Sequence, residues 1–81
     1  MKVFEFGLSP EVQLRLIEEK VAELKEVGFR AVVEAIALNA QEVGERESVQ
    51  LGTMVLRCTD QVQNAKRAID ALEVFAANIK G

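Results

Sequence analysis

Few side chains in this sequence are able to do chemistry, and their spacing decides what each could do. The one cysteine, Cys58, follows Met54 by a single helical turn. On a helix the two sulfurs would fall on one side, where a thiolate and a thioether suit a soft metal such as Cu(I). Buried Cys and Met are also ordinary packing residues, and Cys58 sits in a row of aliphatic side chains, so packing is the stronger reading. Histidine is absent, which removes the commonest general base, the usual zinc ligand and the base of serine and cysteine triads. The Glu-x-x-His elements of a di-iron bundle go with it.

Glu18, Glu19, Glu23 and Glu26 are interleaved with Arg15, Lys20 and Lys25. Spacings of three and four place opposite charges beside each other on a helix, so this cluster reads as a solvated face. A hydrolytic carboxylate pair would need a concave pocket and two unlike environments. Gly28, Gly44 and Gly52 make no phosphate loop, because Glu45 and Glu47 follow Gly44 and no Gly-Lys-Ser or Gly-Lys-Thr occurs. Asp60, Gln61, Gln63 and Asn64 flank Val62 as a polar cluster, either a hydrogen-bonding patch or, more simply, exposed helix surface. The residues therefore point to a non-enzymatic protein with no catalytic, cofactor-binding or metal-binding residues.

Charge and hydropathy exclude further classes. Ten basic and thirteen acidic residues give a net charge of −3, and the basic ones are dispersed, so no basic stripe marks a nucleic-acid surface. Glu34, Asn39, Gln41 and Glu42 interrupt the most apolar stretch well short of the ~20 residues needed to span a bilayer, so no membrane partner is expected. A single cysteine cannot form an intramolecular disulfide, and Lys2-Val3-Phe4-Glu5 does not read as a secretion signal. A reducing, cytoplasmic setting is the expectation.

The elements that position these residues are helical. One proline and five glycines interrupt 81 residues that are 49% hydrophobic, with no Trp or Tyr and four Phe. Such small and branched side chains suit helices packed closely along their lengths. Phe4, Phe6 and Leu8 alternate with Val3, Glu5 and Gly7, which predicts a short extended arm over residues 1–8 and a candidate partner-binding surface. Ser9-Pro10-Glu11 then opens a helix: the serine oxygen accepts from an unpaired N–H, proline is preset for the first turn, and Glu11 complements the dipole.

Two apolar rows follow. Leu14, Ile17, Val21, Leu24, Gly28, Ala31, Ala35 and Leu38 recur at steps of three and four. One helix over about residues 10–43, with Gly28 as the site of any kink, is preferred to two helices broken there, because no residues remain to turn the chain. The polar run from Gln41 to Ser48 is the reversal point, with Gly44 as a left-handed cap and Ser48 opening the next helix. Leu51, Val55, Cys58, Val62, Ala65, Ile69, Leu72, Ala76 and Ile79 form the second row, on a helix over about 47–79. The expected layout of this single domain is an arm at 1–8, a first helical arm at 9–43, a turn at 44–48 and a second arm at 49–80. Folding back near Gly44 predicts Leu38 beside Met54, Gly28 beside Val62 and Ile17 beside Phe75.

Each arm also carries apolar residues that one hairpin mate cannot cover. On the first arm these are Phe29, Val32, Val33, Ile36, Ala40 and Val43. On the second, Ala68, Ala71, Val74, Phe75 and Ala77 join Leu72, Ile79 and the rest of the heptad row and leave only a narrow polar edge near Lys66, Arg67, Asp70 and Glu73. Helices apolar nearly all round are interior helices, so these first-arm residues, with Ala68, Leu72, Phe75 and Ile79, are the expected oligomer interface. The fold expected is all-α, an antiparallel helical hairpin paired with itself as a four-helix-bundle homodimer, or with a helical partner protein. The function expected is that of an adaptor, small regulator or secretion-type chaperone. The alternative is a structural subunit that polymerises into a filament or ring.

Overall fold

A computed structural model describes residues 6–42 and 44–81, with the backbone alone at 45 and 46. Two helices, α1 (Pro10–Asn39) and α2 (Glu45–Lys80), pack against each other as a hairpin, and the described residues contain no strand. The hairpin is a rod of 57 × 18 × 17 Å. Its radius of gyration of 17.9 Å compares with about 12 Å for a compact domain of this length.

The start of α1 follows from its cap. The Ser9 hydroxyl accepts from the Val12 N–H at 3.3 Å, Pro10 occupies the first turn, and Gln13 Nε2 donates to the Leu8 carbonyl at 2.7 Å. Residues 1–5 of the expected extended arm lie outside the described residues, and residues 6 and 7 are not extended. Phe6 and Gly7 have φ of 52° and 73° and form a turn, and two successive left-handed residues destroy the alternation that an arm reaching Leu8 requires. Phe4 lies outside the described residues.

One helix runs unbroken through Gly28, as preferred from the sequence, but it ends at Asn39, four residues before the expected boundary. Its end needs no glycine. The Ala40 N–H donates to the Ile36 carbonyl at 3.1 Å, and the Gln41 N–H tightens the last turn onto Leu38 at 3.2 Å. Gly44 caps the other helix: with φ −72° and ψ 173° it is the extended N-cap of α2, not a left-handed C-terminal cap. Its N–H donates to Glu47 Oε2 at 3.1 Å, the return half of a capping box. This starts α2 two residues before the expected 47 and places Ser48 inside it.

Every residue of the two heptad rows is buried or half-buried, so the 3.5-residue period holds along the seam. Ala31, Leu38 and Cys58 form the cluster nearest the turn, with Ala35, Leu51, Val55 and Val62 packed on it. Leu38 and Met54 border one groove, and Ile17 and Phe75 another, as the fold-back predicts. Gly28 differs: a Cβ there would lie 3.5 Å from Ala65 Cβ, nearly one turn beyond Val62. Pairing the two smallest residues draws the helices together and leaves Val62 to fill the space beside the Ala31 cluster.

Candidate interaction surface

The hairpin covers very little of itself. It exposes 6560 Å², whereas a compact monomer of 8.9 kDa exposes about 4,800 Å² on the usual scaling of area with mass. Among the described residues the buried apolar side chains are Ala31, Leu38, Cys58 and Ala65, and no large side chain is completely enclosed. Outside the seam, large apolar residues stand exposed among the charged ones, including Phe29, Ile36, Leu56 and Phe75.

On one flank, toward the open end, lies a groove of about 550 Å³. Leu14, Ile17, Val21 and Ala76 contribute from the seam rows, and Ala22 and Ala77 from the helix positions beyond them. Glu18, Lys25, Glu73 and Lys80 rim it, so its four charges cancel. Positions seven residues apart lie on the same side of a helix that keeps the heptad period. Counting in sevens from Ala22 reaches Phe29 and Ile36, and from Lys25 reaches Val32. Counting back from Ala77 passes exposed Asp70 and Gln63 before reaching Leu56 and Val49, and from Glu73 passes Lys66 before Thr59 and Gly52. The same flank therefore changes character along the rod. Small residues form a groove near the open end, and large ones stand out nearer the turn, with Phe29 67%, Ile36 65% and Leu56 66% exposed.

The other flank carries a smaller cavity of about 230 Å³ near the open end, bordered by Phe6, Leu8, Gln13, Leu16, Ile17 and Phe75. Gln13 is tied to Leu8 there. Two of the three aromatic and aliphatic residues expected to form a recognition arm thus sit against the hairpin end, although the Phe6 ring remains 82% exposed.

The residues expected at an oligomer interface divide into three groups. Phe29, Val32, Val33 and Ile36 are exposed on α1 and Ala40 at its C-cap, while Val43 lies outside the described residues. Leu72 and Ile79 are half-buried in the seam row between the helices, and Ala68 and Phe75 stand on the flank opposite Phe29. Val49 and Leu56 were missed by the sequence reading. Their spacing of seven was the available signal, although polar Gln63 and Asp70 separate them from Ala77.

The residues with chemical potential are distributed without convergence. Cys58 is a free thiol buried among aliphatic side chains, and Met54, expected beside it in the seam, lies outside it and is exposed. The Thr53 and Thr59 hydroxyls donate back to the carbonyls four residues earlier, at 3.1 and 3.0 Å. The α1 carboxylates pair along their own helix, with Arg30–Glu26 at 2.7 Å, Lys20–Glu23 at 3.3 Å and Arg15–Glu19 at 3.9 Å, all solvent-exposed. Asp60, Gln61, Gln63 and Asn64 are exposed as well. Among the described residues no group of three or more His, Cys, Asp or Glu could hold a metal ion, and no helix is long and apolar enough to cross a membrane. No protein-family model matches the chain, no curated protein is similar to it, and no solved structure matches it.

Proposed function

We propose that this chain is a non-enzymatic protein–protein interaction module, acting as an adaptor, small regulator or secretion-type chaperone, whose working form is a homodimeric four-helix bundle in a reducing cytoplasmic setting. The observation that carries the reading is the excess surface: about 1,750 Å² beyond that of a compact monomer, roughly twice what one partner contributes to a standard interface. Phe29, Ile36 and Leu56, each about two-thirds exposed, are part of that surface. At about 25 cal/mol per Å², covering a few hundred Å² of it contributes several kcal/mol, as much as the stability of a small domain. Sedimentation equilibrium from micromolar to near-millimolar concentration tests this. The expected mass is twice the 8.9 kDa of the chain, and a folded monomer at every concentration refutes it.

A second reading, a subunit that polymerises into a filament or ring, is favoured by the apolar cavity on the opposite flank. Two apolar surfaces facing different ways permit heterologous packing that need not close. Mass that grows with concentration without a plateau would select it.

A further inference from the structure

We propose that Val3 and Phe4 fold back over the open end of their own hairpin, the Phe4 ring filling the cavity between Leu8, Leu16 and Phe75 and closing that flank. The contact lies within one chain, so it stands or falls apart from the self-association proposed above.

The cavity measures about 230 Å³, and Phe6, Leu8, Leu16, Ile17 and Phe75 wall it with Gln13 as the one polar neighbour among the described residues. The Gln13 amide N–H is already engaged by the Leu8 carbonyl, and no charged side chain borders the space, so it suits an apolar occupant. A cavity of about 150 Å³ lined by Leu, Ile and Phe holds a benzene ring, and this one has room for a single phenyl group. Leu8, Leu16 and Phe75 are 41%, 44% and 44% exposed beside it, apolar area that a cover would remove from water.

Two observations select the residues just before Phe6 as that cover. The first is reach. Phe6 is itself part of the wall, and a chain advances at most ~3.6 Å per residue, which holds the Phe4 backbone within about 7 Å of it. A side chain tethered so closely is present at an effective concentration in the millimolar range, against which a free partner competes poorly. Lys2 and Glu5 are charged, leaving Val3 and Phe4 as the nearest apolar residues. The second observation is strain. Phe6 has φ of 52°, a conformation rare for a bulky side chain that persists only where surrounding contacts enforce it. The Phe6 ring is 82% exposed, so its own burial does not supply those contacts. Gly7, at 73°, completes a left-handed pair, the torsions that a two-residue reverse turn of the primed type requires. A turn of that type sends the preceding residues back past the following ones, toward Leu8 and the cavity. Where copies associate, a filled cavity removes the second apolar surface on which open-ended packing depends, and the segment acts as a stop on growth.

NMR of the unmodified full chain tests the placement, since four phenylalanines and no tyrosine or tryptophan keep the aromatic signals few. Nuclear Overhauser contacts from the Phe4 ring to the Leu16 methyl groups and the Phe75 ring are expected, whatever the oligomer mass. In a mixture of isotope-labelled and unlabelled chains they should remain within one chain. Contacts seen only between labelled and unlabelled copies would seat the segment on a neighbour and overturn the proposal, as would a Phe4 ring that touches nothing beyond its sequence neighbours. Phe4→Ala gives a second readout: its melting temperature should fall by at least about 4 °C with helix content unchanged, while Lys2→Ala melts with the parent. A Phe4→Ala variant as stable as the parent refutes the docking.

Discussion

The closest approach of the two helices can be probed by enlarging the residue that permits it. Replacing Gly28 by Ala adds a Cβ 3.5 Å from Ala65 Cβ, an ordinary van der Waals contact. No separation of α1 and α2 is needed, and the change removes the ~1 kcal/mol that glycine costs in a helix interior. The net gain should be about 0.5–1 kcal/mol, which raises the melting temperature by roughly 2–8 °C for a domain of this size. Gly28→Leu places further carbons where Ala65 already stands. Overpacking of this kind costs about 1–3 kcal/mol, more than the propensity gain, so the leucine variant should melt below the parent. Thermal unfolding followed by circular dichroism at fixed protein concentration gives both values, the concentration being held because association adds to apparent stability. The order Ala above Gly above Leu is the expected result. A leucine variant as stable as the alanine variant would refute a seam closed at Gly28 and Ala65, and with it the register of the hairpin.

Two other outcomes follow from the same geometry. Ser9→Ala removes the acceptor for the Val12 N–H and should cost about 1 kcal/mol in the same melts, with α1 fraying at its start; an unchanged melting temperature would show that the cap is idle. The Cys58 thiol is buried beside Ala31 and Leu38, so a disulfide reagent should label it at least a hundredfold more slowly in buffer than in denaturant. Equal rates would place it outside the seam.

Much of the fold was legible because the heptad period is a local property. The rows from Leu14 to Leu38 and from Leu51 to Ile79 identify the buried side of each helix whatever partner covers it, and Ser9-Pro10 marks a helix start through chemistry contained within four residues. The turn was less legible. Gly44 satisfies the sequence signals of a C-terminal cap and of an N-cap equally, and the Glu47 carboxylate returning to its N–H resolves which helix it serves. The end of the arm was less legible, because the alternation of Phe4, Phe6 and Leu8 carries no information about φ, and Phe6 and Gly7 adopt left-handed φ within a turn.

The candidate surface divides in the same way. Exposed apolar residues on α1 follow from counting, since one helix partner covers one stripe and Phe29, Val32 and Ile36 lie on another. Which residues of α2 share their flank does not follow, because that depends on the handedness with which the second helix is laid beside the first. The sequence by itself determined two amphipathic helices, the residues of their seam and the surplus of apolar surface, all set by periodicity within each helix. The tertiary structure alone decided that Gly28 meets Ala65, that Leu56 belongs with Phe29 while Phe75 does not, and that a groove and a ridge share one flank. Those are relations between residues far apart in the chain, governed by how closely small side chains allow two helix backbones to approach.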